Sequence, residues 1–389
     1  MDIFSTTSRI IVTCSNRLAP WLQMEIEELG FKPVRIFKTG IELNGSMSDC
    51  IQLNLNLRCA SQVLFSLKEF RADNTEDIYN MLLQYPWENI LKADGYFSVS
   101  SNVNNPTVDN PLYVNVKVKD AIADRFRNRT GSRPDSGPEV DQAVMNLFWT
   151  DNYVELFIDT SGQTLSKHGY RKIPGKAPMM ESLAAATLLA TKWDRSSPFI
   201  NPMCGSGTLA IEAIMLATKR KPGLYRNNYG FMHLVGYDEK IYDEAYKKLE
   251  QQVIEIPGLK ITATDISEDA IYVSKVNAGI AGVEQLITFE VCDFQQTVVP
   301  ENENGIIYFN PEYGDRLGEE AELETTYGLI GDFLKKKCKG YMGYIFTGNL
   351  ELAKKIGLKP KKRIEFYTGK IDCRLLEYEL YSGTRDPKK

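Results

Sequence analysis

The sequence predicts an α/β protein in which a doubly wound, mostly parallel sheet follows a smaller α+β region. After residue 180, short apolar stretches alternate with long helical patterns, which is typical of parallel strands covered by helices. Before residue 163, apolar and polar side chains alternate at residues 96–101 and 112–118, which is typical of half-buried strands. The 389-residue chain is too long for one compact core, so we expect a main domain boundary near residue 165.

The elements of the first region are predicted from the spacing of apolar side chains. Helices are predicted at residues 19–29, 48–56 and 120–129, and Gly30 favours the end of the first one. Strands are predicted at residues 9–14, 33–37, 40–43, 96–101, 112–118 and 153–159. Residues 112–118 are assigned as a strand because Val114, Val116 and Val118 occupy alternate positions, and residues 130–138 are assigned as a loop.

The strands of the second region are continuous apolar runs. They are predicted at residues 198–200, 234–237, 260–264, 287–291, 306–309 and 343–347. Runs of this kind are buried on both faces of a sheet, as parallel strands are. Open α/β sheets bind ligands beyond the carboxyl ends of such strands. The residues that directly follow each strand are therefore the candidate site residues.

Composition excludes several classes of protein. The seven cysteines form no C-x-x-C pair and there are only two histidines, so neither a disulfide framework nor a metal centre is expected. No apolar run approaches the roughly 18 residues of a membrane helix. Residues 1–5 lack the basic and apolar regions of a secretion signal. We therefore expect a cytoplasmic protein with no metal and no membrane partner.

A cluster of basic residues lies on and just before the third predicted helix. The net charge of −5 counts against a nucleic-acid partner, because Lys and Arg are the residues that neutralise phosphates. The local cluster favours such a partner, although a solvated helix face explains it equally well. The candidate phosphate contacts are Lys117, Lys119, Arg125, Arg127 and Arg129.

A glycine-rich loop at residues 201–208 joins a predicted strand to a helix-forming run. Glycines let the backbone turn sharply and approach a ligand closely, although a purely structural turn is the alternative. Residues 205–210 also fit the dinucleotide pattern G-x-G-x-x-A, but the irregular segment 219–231 lacks the strand-end acid of nicotinamide enzymes. The candidate ligand-binding residues are Asn201, Pro202, Cys204, Gly205, Gly207 and Thr208.

Acidic side chains end the next two predicted strands. Asp265 can accept the hydroxyl protons of a ribose, and Asp293 can accept from an adenine amino group. Their neighbours Ile266 and Phe294 complete this candidate set, and the Phe294 ring can pack on the adenine. Capping of the following helix is the alternative, and it explains one such acid better than two at successive strand ends.

The strand at 306–309 runs into the tetrapeptide Asn-Pro-Glu-Tyr, from Asn310 to Tyr313. A rigid turn explains Pro311 and Gly314, but it does not explain the carboxamide and the aromatic ring beside them. The tetrapeptide resembles the Asn/Asp-Pro-Pro-Tyr motif of methyltransferases that act on exocyclic amines. The glycine-rich loop is similar to the cofactor loop of those enzymes.

Longer segments resemble the bacterial large-subunit rRNA guanine-N2 methyltransferase family (RlmL), in its form with a single methyltransferase domain. The segments are residues 201–213, 223–231, 286–293 and 310–317, with a weaker likeness at 367–373. Residues 169–171, 177–178 and 181–185 are similar to the segment that precedes the cofactor loop in RNA methyltransferases with a THUMP domain. The resemblance implies a ferredoxin-like segment (1–65), a THUMP RNA-binding domain (66–165) and a Rossmann-like class I methyltransferase domain (166–389).

The resemblance also implies an activity. A methyl group would pass from S-adenosylmethionine, leaving S-adenosylhomocysteine, to the N2 amine of a guanine in 23S rRNA or a large-subunit precursor. Asn310, Pro311 and Tyr313 would act on the base by accepting its amine protons and stacking on its ring. The cofactor would be held by the six loop residues together with Asp265, Ile266, Asp293, Phe294 and Asn310.

Glu312 departs from the family motif, because it replaces the second proline. This substitution favours one alternative function, that of an RNA-binding or assembly factor with an inactive methyltransferase domain. Another alternative retains the chemistry on tRNA, since tRNA guanine-N2 enzymes share this layout. A nicotinamide oxidoreductase is the last alternative, and the segment from Asn310 to Tyr313 opposes it.

Overall fold

The protein is described by a computed structural model at residues 2–108, 110–175, 178–301, 304–314 and 320–381. The resemblances at Ala177 and at residues 315–317 lie outside the described residues. In chain order, the elements of the first region are β1 (Thr7–Thr13), α1 (Ala19–Glu28), β2 (Arg35–Phe37), β3 (Gly40–Ser46), α2 (Met47–Asn56), β4 (Gln62–Arg71), α3 (Thr75–Leu83), β5 (Tyr96–Asn104), α4 (Pro111–Thr130), β6 (Asp135–Ser136), β7 (Ala143–Thr150) and β8 (Tyr153–Asp159).

The second region continues the same numbering. Its elements are α5 (Glu181–Leu189), β9 (Phe199–Pro202), α6 (Thr208–Ala217), α7 (Glu239–Gln252), β10 (Ile261–Asp265), α8 (Glu268–Ile280), β11 (Ile287–Val291), β12 (Ile306–Phe309), α9 (Glu320–Lys337), β13 (Met342–Thr347), α10 (Leu350–Lys355), β14 (Lys362–Thr368) and β15 (Ile371–Glu379).

The strands of the second region form one sheet in the order β11-β10-β9-β12-β13-β15-β14. The first five are parallel to one another, whereas β15 is antiparallel to both of its neighbours. Chain order reverses between β9 and β12, and such a switch point opens a crevice at the carboxyl ends of the strands. The fold predicted for this region is confirmed, and the crevice is where the predicted loops lie.

The strands of the first region form a separate sheet in the order β2-β3-β1-β4-β8-β7-β5-β6. Most neighbours are antiparallel, and the β5–β7 and β5–β6 pairs are parallel. The α+β class predicted for this region is confirmed. The strand predicted at 153–159 coincides with β8, and a short strand, β6, lies within the loop predicted at 130–138.

The strand predicted at residues 112–118 is wrong, because this segment forms the beginning of α4. Asn110 caps the helix by accepting from the backbone N–H of Leu112, and proline occupies the first helical position. Val114 and Val118 are buried one helical turn apart, whereas Val116 is 50% exposed. The alternate valines therefore belong to a helical face and not to a strand.

The strand predicted at residues 234–237 is also wrong, because this segment joins neither sheet. It makes one isolated bridge, between Leu234 and Leu91, and Gly236 has a φ of +89°. The segment lies in a compact unit, the first unit, made of Met1–Cys14, Leu22–Leu165 and Pro222–Gln251. The second unit consists of Ser15–Trp21, Ser166–Lys221 and Gln252–Lys389. The three-domain division at 65 and 165 stays a prediction.

Close backbone approach explains two glycines of the Pro222–Gln251 segment. A Cβ at Gly223 would lie 2.6 Å from the carbonyl oxygen of Leu55, and a Cβ at Gly230 would lie 2.4 Å from that of Asp159. Real Cβ atoms do not approach oxygens so closely, so glycine lets this segment pack on α2 and on the end of β8. Among the described residues, no helix is long and apolar enough to cross a membrane.

Candidate functional site

The glycine-rich loop after β9 is held by hydrogen bonds from β10 and α8. The backbone N–H of Gly205 donates to Oδ2 of Asp265 at 3.0 Å, and the Gly205 carbonyl accepts from Oγ of Ser274 at 2.7 Å. The Ser206 carbonyl accepts from Nδ2 of Asn277 at 3.3 Å. The shape of this loop is therefore fixed by contacts within the protein.

Gly207 and Thr208 begin α6. Gly207 has a φ of +78°, and a Cβ there would lie 3.0 Å from Cβ and Oγ of Ser274. The Arg171 guanidinium donates to Oγ1 of Thr208 at 3.2 Å and to Oε2 of Glu181 at 2.8 Å. Through these hydrogen bonds, Arg171 connects the chain segment before the loop with Thr208, the first residue of α6.

Asn201, Pro202 and Cys204 are buried. Nδ2 of Asn201 donates to the carbonyl of Tyr308 at 2.9 Å and so joins the ends of β9 and β12. Oδ1 of Asn201 is buried and has no hydrogen-bond partner among the described residues. Burial raises the pKa of Cys204 to about 12, so its thiol is protonated at neutral pH and is no nucleophile.

Asp265 is the last residue of β10, as predicted for a strand-end acid. Besides accepting from Gly205, its carboxylate accepts from the backbone N–H of Ser267 at 3.0 Å through Oδ1. A carboxylate has about four acceptor positions, so two such bonds leave capacity for ribose hydroxyls. Ile266 follows with 73% of its surface exposed, an apolar side chain beside the acid.

Asp293 and Phe294 follow β11. Oδ1 of Asp293 accepts from the backbone N–H of Gln295 at 2.8 Å, which is the capping role considered as the alternative. The Phe294 ring is buried edge-on against Phe309 and Phe333, with ring centroids 5.9 and 6.1 Å apart. Its core contacts account for its burial, so adenine packing by Phe294 stays a prediction.

The tetrapeptide after β12 has a different character. Oδ1 of Asn310 is buried without a hydrogen-bond partner among the described residues. Pro311 is buried, Glu312 is exposed and Tyr313 is half-buried. The Tyr313 carbonyl accepts from Nδ2 of Asn349 at 3.5 Å. Oδ1 of Asn201 in the neighbouring strand is in the same state, so both amide oxygens can accept a hydrogen bond from a ligand.

The basic residues predicted to bind RNA lie on α4 of the first unit, and most are already engaged. The engaged pairs are Lys117 with Glu76, Lys119 with the Gly137 carbonyl, Arg125 with Glu88, and Arg127 with Asp124. The Arg125 contact lowers the pKa of the Glu88 carboxyl. Arg129 is exposed and forms no salt bridge with a described residue, although its charge also helps to lower the pKa of Glu88; it is thus the most available of the five.

Three side chains that shape the loop after β9 were not predicted from the sequence as site residues: Arg171, Ser274 and Asn277. Ser274 and Asn277 both belong to α8 and are buried although polar. They are three residues apart, which places them on one face of the helix. That spacing is the signal available in the sequence. Among the described residues, no group of three or more His, Cys, Asp or Glu side chains is placed to hold a metal ion.

Comparison with known families gives matches along most of the chain. Residues 168–377 match the methyltransferase domain described as RMKL-like. Residues 9–64 match the RlmL ferredoxin-like domain, and residues 72–158 match the THUMP domain. A curated relative, the ribosomal RNA large subunit methyltransferase K/L of Syntrophotalea carbinolica, is 33% identical over 96% of this chain and 53% of its own length. The chain thus spans about half the length of that relative.

Solved structures share the fold over nearly the whole chain. A protein of Listeria monocytogenes described as a predicted N6-adenine-specific DNA methylase has a TM-score of 0.87 and 28% identity, covering 96% of this chain and 97% of its own. The methyltransferase SMU.472, solved in complex with SAH, has a TM-score of 0.87 and 24% identity, covering 97% of this chain and all of its own.

Proposed function

This chain belongs to the RMKL-like methyltransferase family, and we propose that it methylates the N2 amine of a guanine in RNA with S-adenosylmethionine as the donor. One observation carries the proposal. Oδ1 of Asn310, which is buried and has no hydrogen-bond partner in the described part of the chain, lies directly after β12. Strand β12 pairs with β9, and the glycine-rich loop directly follows β9. An acceptor for an amine thus comes next to a loop suited to a nucleoside cofactor.

The residues present fit S-adenosylmethionine. Asp265 offers a strand-end carboxylate with spare acceptor capacity, and the loop after β9 comes close to α8 at Gly207, while the space beside Gly205 is open among the described residues. A structural neighbour of the same fold holds SAH, the demethylated product. When bound, S-adenosylmethionine supplies an electrophilic methyl group, and the protein must position the target amine and stabilise the charge that develops on it.

That work is mainly positioning. The Asn310 oxygen and the Pro311 carbonyl accept the two N–H groups of the guanine amine, which favours a pyramidal nitrogen whose lone pair is free. Tyr313 stacks on the base and fixes its plane. No strong base is needed before attack, because the nitrogen becomes acidic only as it gains the methyl group, and it then releases one of its protons to water. The acceptors also stabilise the positive charge that develops on the nitrogen.

We propose that the substrate is 23S rRNA or a large-subunit precursor and that the reaction takes place in the cytoplasm. The THUMP match and the curated relative's name support RNA, and the relative's name also supports the large ribosomal subunit. The name of the Listeria neighbour points to a different exocyclic amine, N6 of adenine in DNA. The acceptor arrangement at Asn310 suits either amine, so the nucleic acid and the base must be distinguished by product analysis.

The test uses the full chain and labelled S-adenosylmethionine. Substrates are 23S rRNA and tRNA from a strain that lacks this gene, together with unmethylated DNA. We expect label in N2-methylguanosine from 23S rRNA. Label in tRNA would change the substrate, and label in N6-methyladenine would change the base. Absence of transfer to all three, with cofactor binding intact by calorimetry, would favour the RNA-binding or assembly role.

A further inference from the structure

The turn that follows β13 is fixed by its own hydrogen bonds. Oγ1 of Thr347 lies 2.9 Å from the hydroxyl of buried Tyr327, and it accepts from the backbone N–H of Asn349 at 3.1 Å. Oδ1 of Asn349 caps α10 by accepting from the N–H groups of Glu351 and Leu352. The turn therefore cannot shift without breaking a helix cap and a buried hydroxyl contact.

Tyr313 lies against this turn. Its carbonyl accepts from Nδ2 of Asn349. A Cβ built at Gly348 would lie 3.1 Å from both Cδ2 and Cε2 of the Tyr313 ring, and 2.7 Å from Cγ2 of Ile371. Gly348 does not have a positive φ, so glycine is required here for space and not for backbone conformation. Gly348 leaves the volume that the Tyr313 ring and Ile371 fill.

We infer that Gly348 and Asn349 are positioning residues that set the plane of the Tyr313 ring and, through it, the plane of the target base. The inference rests on the proposed function, because it assigns a purpose to the orientation of Tyr313. A stacking ring orients a base only as well as the ring itself is held. Gly348 supports the ring edge, and Asn349 supports the backbone of the same residue.

Alanine at Gly348 should act on turnover more than on binding. The added Cβ moves the ring by a few tenths of an ångström but leaves its stacking surface in place. Misplacement of reacting groups by about 1 Å can cost about a hundredfold in rate, so we expect Gly348→Ala to lower kcat about tenfold. The KM for RNA should change by less than about twofold, because the stacking area that supports binding is retained.

The matched control is Gly343→Ala in β13, the strand that precedes the turn with Gly348. A Cβ there would make only ordinary contacts, 3.4 to 3.5 Å from Leu380, Leu334 and Tyr378, so kcat should stay near the wild-type value. Asn349→Asp keeps the helix cap but removes the donor to Tyr313, and it should lower kcat by roughly two- to fivefold. Thermal unfolding and calorimetric cofactor binding check that each variant is folded and loaded.

A double-mutant comparison tests whether Gly348 acts through the ring. In a Tyr313→Ala background, Gly348→Ala should cost nothing further, because the ring it displaces is gone. An equal loss of kcat in both backgrounds would overturn the inference. Restoration of kcat by Ile371→Ala in the Gly348→Ala protein would also overturn it, since the effect would then run through Ile371. Wild-type protein that methylates no nucleic acid overturns the proposed function and this inference together.

Discussion

The loops after β9 and β12 begin on neighbouring strands, but the backbone of the first is bonded to side chains of the protein, whereas the second begins with a buried side-chain acceptor. In the first loop, the backbone groups of Gly205 and Ser206 are bonded to side chains from β10 and α8. In the second, the Asn310 amide oxygen is buried and unpartnered among the described residues. The backbone of the first loop is thus held by neighbouring side chains, whereas Oδ1 of Asn310, like Oδ1 of Asn201 in β9, is a buried acceptor that receives no hydrogen bond from a described residue.

If the proposed function holds, the contrast implies that cofactor binding depends on the first loop and methyl transfer on the second. A loop that is shaped in advance loses little entropy when a cofactor binds, so it favours affinity. An unsatisfied acceptor costs stability in the free protein, and that cost is relieved when charge develops next to it. We therefore expect substitutions in the first loop to change cofactor affinity and substitutions in the second to change turnover.

Asn310→Ala is expected to have the largest effect and tests whether the second loop acts in turnover. The oxygen interacts more strongly with an amine becoming cationic than with the neutral base, so its loss should lower kcat by on the order of a hundredfold or more. The KM for RNA should change little. Single-turnover kinetics give both values. Asn310→Asp keeps an acceptor oxygen and should restore much of the rate. Normal turnover by Asn310→Ala, with RNA and cofactor bound, would mean that the amine is not held there.

Asp265→Ala tests the other side of the comparison. Loss of hydrogen bonds to a charged group should weaken binding of S-adenosylmethionine by about 1.5–3 kcal/mol. Part of the loss reflects the Gly205 N–H, which loses its acceptor. Calorimetry measures the dissociation constant, with Asp269→Ala, an exposed acid in the first turn of α8, as the control. An unchanged constant would remove Asp265 from the cofactor site.

Tyr313→Ala sharpens the comparison, because this residue should affect binding as well as turnover. Stacking on the base precedes transfer, so its loss should weaken productive RNA binding by roughly 1–3 kcal/mol and also slow the reaction. Tyr313→Phe retains the ring and should be mild. Filter binding and single-turnover kinetics on both variants separate the two effects. A defect in the Phe variant equal to that of the Ala variant would assign the role to the hydroxyl group.

The basic residues of α4 differ in the same way, because some already form salt bridges and others are free to contact RNA phosphates. Arg125 is paired with Glu88, whereas Arg129 is exposed without a salt bridge to a described residue. Arg129→Gln should therefore flatten the log–log salt dependence of RNA binding by nearly one unit, and Arg125→Gln should flatten it less. Salt titrations of RNA affinity provide the slopes. Charge reversal at Arg125 and Arg127 without any change in slope would indicate a merely solvated face.

The strands that carry the site were predictable because they are buried on both faces. Strands β9 to β13 lie within two residues of their predicted positions, and the predicted candidates lie at the carboxyl ends of β9, β10, β11 and β12. The partners of those residues were not predictable. Ser274, Asn277 and Gly348 reach the loops only through the packing of α8 and β13, and no local pattern connects them with residues far away in the chain.

The two incorrect strands have separate physical causes. In residues 112–118, the valines satisfy both a two-residue and a four-residue spacing, and the cap at Asn110 with Pro111 decides for the helix. In residues 234–237, the composition is that of a strand, but the segment belongs to the first unit and makes a single bridge there. Composition describes how apolar a segment is, and not which sheet it joins.

The membership of residues 222–251 in the first unit has a consequence for synthesis on the ribosome. That unit cannot be completed when Leu165 has been made, because its last segment begins at Pro222, after the 56 intervening residues 166–221. At about 5–20 residues per second, translation of those residues takes roughly 3 to 11 s. During that interval α2 and the end of β8 lack the segment that packs on them, so the first unit stays incomplete while residues 166–221 are being made.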